Sequence, residues 1–255
     1  MSKIEIVPPS PVQTAAEGLI ELRDHAALLT SLAALPAPQR LKQLRQDLPG
    51  RIAMTTAFGM EGQVMLHWIA EQDLDIDVVT LDTGRLFPET YELWAETEQR
   101  YGRRIRAIYP ERTQLESLIA QQGINGFYDS SAAREACCNV RKVDPLKRAL
   151  DGAQAWITGL RADQSEFRAQ SSVVTFDAGR KLLKVSPLFD WTRQAVADFA
   201  AANRVPLNKL HAQGFVSIGC APCTRAVAPG EPERAGRWWW EGDQKKECGL
   251  HLPRT

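Results

Sequence analysis

Arg51-Ile52-Ala53-Met54-Thr55-Thr56-Ala57-Phe58, followed by Gly59-Met60-Glu61-Gly62, is the stretch that decides the predicted fold. The first eight residues are mostly apolar or β-branched, which is typical of a buried strand. The glycine turn leads into a helical pattern between Val64 and Ile69. A strand, a glycine turn and a helix present backbone N–H groups to an anion. No Gly-Lys-Ser/Thr follows, so this is not a Walker P-loop, and a structural turn and a phosphate cradle both stay open.

The strand and helix pattern recurs along the chain, which predicts an α/β fold with a doubly wound parallel sheet flanked by helices. In such a sheet, ligands bind at the carboxyl ends of the strands. A hairpin is predicted over 173–185, and Thr192 is predicted to cap a helix that reaches Asn203. The predicted strands cover 76–81, 105–109 and 155–158, and the helices cover 88–101, 115–121 and 135–150, the last interrupted or shortened by Pro145.

Composition excludes some classes of function. The chain has 255 residues, with 31 Lys and Arg against 31 Asp and Glu, and this zero net charge argues against broad nucleic-acid binding. No run of eighteen apolar residues occurs, so no membrane span is expected. Nothing at the start reads as a secretory signal, which predicts a cytoplasmic protein with reduced thiols.

Four of the five cysteines form two clusters, Cys137-Cys138 and Cys220-Ala221-Pro222-Cys223. Thiolates are soft ligands, and two such pairs are typical of a metal or iron–sulfur site. A structural zinc site with four cysteine ligands is the main alternative, because spacing alone cannot separate zinc from a cluster. Unligated core cysteines and disulfides are less favoured.

Three further motifs resemble the phosphoadenylyl/adenylyl sulfate reductase family over roughly residues 50–251: Leu81–Thr90, Gly159–Ser165 and Glu247–His251. The resemblance implies a fold like that of the PP-loop adenine-nucleotide α-hydrolases. In this family the two cysteine pairs mark the branch that uses adenosine 5′-phosphosulfate, and they imply one 4Fe-4S cluster with the ligands Cys137, Cys138, Cys220 and Cys223.

The same resemblance implies assimilatory sulfate reduction, a step of cysteine biosynthesis, with Cys248 as the catalytic residue. Its thiolate would attack the sulfuryl group, release AMP and hold a thiosulfonate, from which thioredoxin or a glutaredoxin-like reductant frees sulfite. Lys245, Lys246 and His251 favour the ionised thiol, whereas Glu247 opposes it. Glycines around Cys248 indicate a flexible C-terminal tail that could serve both partners.

Substrate contacts are expected from two groups of residues. The adjoining phosphate and sulfate require fixed cations, which arginine matches well. Relatives usually carry a serine where this chain has Ala57, which puts that side-chain contact in doubt. The predicted cations are Lys142, Arg168, Arg234, Arg237 and His251, and the predicted adenosine contacts are near Ala57, Gly59, Leu81 and Gly159.

Residues 1–48 are predicted to be a leader and a helical cap, split by Pro36 and Pro38, or a contact between copies in a homo-oligomer. Residues 49–228 are predicted to form the nucleotide-binding and iron–sulfur domain, and residues 229–255 the catalytic tail. Three alternative functions remain: a reductase of the 3′-phosphorylated nucleotide, a non-enzymatic zinc-binding module, and an ATP-dependent PP-loop ligase or tRNA thiolase. The lack of a Ser-Gly-Gly-x-Asp-Ser loop counts against the last.

Overall fold

The computed structural model describes residues 28, 30–242, 249 and 250. Its six strands are β1 (Arg51–Thr56), β2 (Asp77–Leu81), β3 (Arg106–Ile108), β4 (Ala153–Ile157), β5 (Val174–Asp177) and β6 (Leu182–Val185). They form one sheet in the order β3-β2-β1-β4-β6-β5. All neighbouring pairs are parallel except β5 and β6, which form the predicted hairpin.

Both faces of the sheet are covered, because side chains alternate along each strand. Ile52 and Met54 of β1 belong to the larger apolar cluster, whereas Ala53 belongs to a second cluster with Trp156. Helices contribute to each cluster, and this confirms the predicted doubly wound α/β fold. The helices are α1 (Ala37–Asp47), α2 (Met60–Glu71), α3 (Pro88–Tyr101), α4 (Arg112–Gln122), α5 (Ser131–Cys138), α6 (Asp144–Leu150), α7 (Glu166–Ala169) and α8 (Arg193–Ala202).

The strand order reverses between β1 and β4. From β1 the chain proceeds outward to β2 and β3, and it then returns to place β4 on the other side of β1. A reversal of this kind leaves a crevice beyond the carboxyl ends of the two strands, where open α/β sheets bind their ligands. The glycine turns at Gly59 and Gly159 follow these two ends.

Local signals explain several helix boundaries. Thr192 accepts a hydrogen bond from the N–H of Ala195, which confirms the predicted cap of α8. Pro88 occupies the first turn of α3, where its missing N–H is not required. The chain turns between the helical residues 30–34 and α1, as the prolines at 36 and 38 predict.

The predicted helix over 135–150 requires a correction. Ser130 accepts a hydrogen bond from the N–H of Ala133, so the helix begins earlier, at Ser131. The interruption lies before Pro145 and is a π-helical turn, Asn139–Val143. Pro145 lies in the first turn of α6 and cannot donate a backbone hydrogen bond, which favours a break in the ladder just upstream.

Helix α1 packs onto the body of the protein. Leu41 and Leu44 join the larger apolar cluster, and the buried guanidinium of Arg40 pairs with Asp190 at 2.6 Å. The proposed division at residue 48 stays a prediction. Among the helices in the described ranges, none is long and apolar enough to cross a membrane.

Candidate functional site

A cavity of about 220 Å³ lies at the carboxyl ends of β1, β2 and β4. Ala57 and Gly59 line it after β1, Leu81 lines it at the end of β2, and Gly159 lines it after β4. The structure thus brings together all four residues predicted to surround the adenosine. Their role as substrate contacts stays a prediction.

The loop after β1 is held by threonine hydroxyls. The hydroxyl of Thr56 accepts a hydrogen bond from the N–H of Phe58 at 3.0 Å, and Phe58 adopts a positive φ of 57°. Thr55 accepts a hydrogen bond from the indole of Trp156 at 2.8 Å. The hydroxyls of Thr55 and Thr56 therefore hold the loop in place, although position 57 carries no serine.

Helix α2 begins beside the same cavity. Its N-cap, Gly59, provides no side-chain hydrogen bond, so the first-turn N–H groups are available to an anion. Gly62 also lines the cavity, and a Cβ at this position would lie only 2.6 Å from the hydroxyl oxygen of Thr56. Glycine is required there because the helix approaches the strand end so closely.

Four predicted cations line the cavity: Lys142, Arg168, Arg234 and Arg237. His251 lies outside the described residues. Arg237 is buried and packs on Gly219, where an added Cβ would lie 2.3 Å from its Nη2 atom. Its guanidinium also lies 5.0 Å from the centre of the Trp238 ring. This packing restricts the side chain before any substrate binds.

Arg161 connects three parts of the site. Its side chain is fully buried, and it forms ion pairs of 2.8 Å with both Glu61 and Glu233. It also pairs with Asp163. Burial raises the pKa of Glu233, and the nearby carboxylate of Glu61 adds to this rise while Arg161 opposes it. The contact ties the start of α2 to the segment that carries Arg234 and Arg237.

The predicted metal ligands meet in one place. Cys137, Cys138, Cys220 and Cys223 are not disulfide-bonded, and they line a second cavity of about 20 Å³. The hydroxyl of Thr83 lies 3.2 Å from the Sγ atom of Cys220. Two segments separated by about eighty residues in the sequence therefore bring their thiols together.

Charges around the thiols are unequal. Burial and then the neighbouring Cys220 raise the pKa of Cys223 to about 12. Burial would also raise the pKa of Cys220, but Lys142, Thr83 and Arg237 outweigh it and leave that pKa below its usual value. The surroundings therefore stabilise negative charge on Cys220, but they do not stabilise four ionised thiols at the same time.

The donor set fits an iron–sulfur cluster. Four thiols with basic neighbours, Arg134, Arg141 and Lys142, suit an anionic group with four cysteine ligands. Within the described part of the chain, no group of three or more His, Cys, Asp or Glu side chains is arranged to hold a single metal ion.

Lys142 and Cys220 each line both cavities. The π-helical turn carries Lys142 and its neighbour Arg141, whose guanidinium donates to the carbonyl of Thr83. One short segment thus supplies Cys137 and Cys138 from α5 and a cation for the larger cavity.

The catalytic cysteine predicted from the sequence, Cys248, lies outside the described residues. Two residues that follow it are described. Leu250 lines the larger cavity and packs against the apolar clusters that contain Trp156 and Cys220. Trp238 is completely buried among the cysteines.

The sequence model of the phosphoadenosine phosphosulfate reductase domain matches residues 51–226. The chain belongs to this family. Among the relatives in the family, the adenosine 5′-phosphosulfate reductase of Agrobacterium fabrum is 51% identical over 90% of this chain and 88% of its own. The protein of the same name from Rhizobium meliloti is 53% identical over 82% of this chain and 78% of its own.

A solved member of the phosphoadenosine phosphosulfate reductase family shares the fold. The crystal structure of phosphoadenylyl-sulfate reductase from Candida auris, a phosphate complex, matches with a TM-score of 0.69 and 25% identity. The match covers 82% of this chain and 98% of the Candida auris chain. The resemblance predicted from the three motifs is confirmed.

Sequence reasoning missed several residues of this reductase site. Arg134 pairs with Glu241 at 2.8 Å, and its guanidinium lies 4.8 Å from the centre of the Trp238 ring. Arg161 lies in a recognised motif, but its partners could not be assigned. The packing of a guanidinium group against a buried aromatic ring, as between Arg134 and Trp238, produces no periodic pattern in the sequence.

Proposed function

We propose that this chain reduces adenosine 5′-phosphosulfate to sulfite and AMP, with electrons from thioredoxin or a related dithiol. The thiolate of Cys248 attacks the sulfuryl sulfur, the bond between that sulfur and the bridging oxygen breaks, and AMP leaves with the electron pair. A dithiol then attacks the Sγ atom of the thiosulfonate, sulfite leaves, and a second thiol resolves the mixed disulfide. The dithiol supplies both electrons and ends as a disulfide.

The observation that carries this proposal is the composition of the nucleotide cavity. Lys142, Arg168, Arg234 and Arg237 line the same space as the strand ends and the start of α2. The substrate carries neighbouring phosphate and sulfate groups, and charge-assisted hydrogen bonds from fixed cations are the stronger class. Cations also stabilise the negative charge that collects on AMP as the bond breaks.

A 4Fe-4S cluster would be held by Cys137, Cys138, Cys220 and Cys223. When bound, it would supply a fixed electrostatic centre that orients Lys142 and links the two cysteine segments, and it need not carry electrons. The chain's own residues bind and orient the nucleotide, since Arg237 is packed on Gly219 and Arg168 donates to Gln164.

The biological setting follows from the chemistry. Sulfite from this reaction would enter assimilatory sulfate reduction and cysteine biosynthesis, the setting that the family resemblance implies. Free thiols at the cysteine site and a thiol reductant both require a reducing compartment, which favours the cytoplasm.

Sulfite release tests the proposal. Anaerobically purified protein with reduced thioredoxin is given either adenosine 5′-phosphosulfate or its 3′-phosphorylated form, and Cys248→Ser serves as the inactive control. We expect sulfite from the first nucleotide and little from the second. Preference for the second would assign the 3′-phosphorylated substrate, and activity on neither would refute the reductase.

A further inference from the structure

The described part of the chain end, Gly249 and Leu250, contacts the turn of the β5–β6 hairpin through the side chain of Arg180. The Nη2 atom of Arg180 donates a hydrogen bond of 3.2 Å to the backbone carbonyl of Leu250. Arg180 lies in the turn between the two strands, 70 residues away in the sequence. Of the described residues, those that line the nucleotide cavity do not include Arg180. It therefore contacts the chain end without contributing to the cavity wall.

Arg180 is fixed by its own surroundings. Its side chain is only 8% exposed and forms an ion pair with Asp177, and its backbone N–H donates to the same carboxylate at 3.1 Å. The guanidinium lies 5.3 Å from the centre of the Trp156 ring, in cation–π geometry. A donor that is already ordered loses little entropy when it binds the chain end.

Leu250 lies at a position that matters for the chemistry. It lines the nucleotide cavity together with Leu146 and Trp156, so the chain end reaches the place where the substrate is proposed to bind. Gly249 approaches the body as well, because a Cβ there would lie 3.4 Å from the Cγ2 atom of Val143. Cys248 precedes Leu250 by two residues, and an extended chain spans only about 7 Å over that length.

We infer that Arg180 is a positioning residue that holds the chain end at Leu250 so that the thiol of Cys248 can reach the sulfuryl group. This inference rests on the proposed function. The anchor acts in the first step, when the thiolate attacks the bound nucleotide, and it plays no part in the second step, when a dithiol attacks the thiosulfonate. One charge-assisted hydrogen bond from a side chain to a backbone carbonyl is weak enough to break between the two steps.

The test separates the two steps in full-length, anaerobically purified protein. Arg180→Ala removes the donor, Arg180→Lys keeps the charge with a different reach, and Lys181→Ala removes an exposed charge from the same turn as a control. Formation of the adduct on Cys248 is followed by rapid quench without reductant. Sulfite release is then measured after reduced thioredoxin is added to the isolated adduct.

We expect Arg180→Ala to slow adduct formation about tenfold, the effect of losing one charge-assisted hydrogen bond. Affinity for AMP and the rate of sulfite release should match the wild type. The rate of adduct formation in Arg180→Lys should lie between those of Arg180→Ala and the wild type, and the rate in Lys181→Ala should equal that of the wild type. A wild-type rate of adduct formation in Arg180→Ala would overturn the inference, as would equal losses in AMP affinity and in both rates.

Hydrogen exchange of the peptide that contains Leu250, with AMP bound, keeps the inference separate from the proposed function. Faster exchange at this peptide in Arg180→Ala, but not in Lys181→Ala, supports the anchor even if the wild type forms no adduct. If exchange is faster in Arg180→Ala but the wild type forms no adduct, the reductase proposal fails. The contact between Arg180 and Leu250 then stands, and its role in positioning Cys248 is refuted. Unchanged exchange would refute the anchor itself.

Discussion

Lys142 and Cys220 together form the wall between the nucleotide cavity and the cysteine cavity, since each residue lines both. The ammonium group of Lys142 contributes a charge and a hydrogen bond that lower the pKa of the Cys220 thiol. A change in the charge at position 142 therefore alters the electrostatics of both cavities. The same cation that would face the substrate also faces a ligand thiol.

Lys142→Ala should weaken catalysis more than it weakens the fold. Removal of one cation that faces a dianionic substrate costs about 1.5–3 kcal/mol, which lowers kcat/KM by roughly ten- to a hundredfold. Iron content should stay unchanged because all four cysteines remain. Steady-state kinetics and iron analysis check both points, with exposed Lys147→Ala as the control. An unchanged kcat/KM would place the anion site elsewhere.

Gly219→Ala should act through Arg237. The new Cβ would lie 2.3 Å from Nη2 of that guanidinium, so the side chain must move away from the cavity. Affinity for AMP should fall by the same factor as in Arg237→Ala, and the double variant should be no weaker, because both changes remove one interaction. Gly242→Ala is the control, since its Cβ would meet nothing within 4 Å. Additive losses would disprove this packing role.

Arg161→Met should destabilise the protein by about 3 kcal/mol, because it leaves the partly buried Glu61 and Glu233 without their cation. The loss should be smaller at about pH 5 than at about pH 8. Burial already raises the pKa of Glu233, so the folded state takes up a proton before the unfolded state, and stability recovers as pH falls.

Thermal unfolding at the two pH values checks this prediction. Arg193→Met provides the control, because Arg193 lies 4.0 Å from the same carboxylate and is one-third exposed. Such a pair contributes less than about 1 kcal/mol. A pH-independent loss in Arg161→Met would indicate that lost packing, and not charge, dominates.

Cys137→Ser and Cys223→Ser should each lose iron and activity together, since the site takes ligands from both segments. The wild type should be brown, with iron and sulfide in equal amounts. Metal analysis and visible absorption of anaerobically purified protein check this. A colourless protein with one zinc ion per chain would support the zinc alternative instead.

Much of the fold could be predicted because it follows from local periodicity. Buried strands followed by glycine turns, as at Gly59 and Gly159, place the ligand site at the strand ends before any contact is known. The cations were expected from the charge of the substrate that the resemblance implies, and all four that lie within the described range line the cavity.

The remaining features depend on long-range contacts. The partners of Arg161 lie 100 and 72 residues away, and either carboxylate alone would look like an ordinary surface charge. The position of Lys142 depends on a π-helical turn, which has no distinct pattern of apolar residues. The anchor between Arg180 and Leu250 likewise joins two unremarkable loop positions.

The most direct measurement is the mass of the protein after exposure to adenosine 5′-phosphosulfate without a reductant. A nucleophilic Cys248 predicts one sulfite-sized adduct per chain, located on the peptide that contains Cys248, released as sulfite by reduced thioredoxin and absent in Cys248→Ser. An adduct on another cysteine, or turnover by Cys248→Ser, would contradict the mechanism.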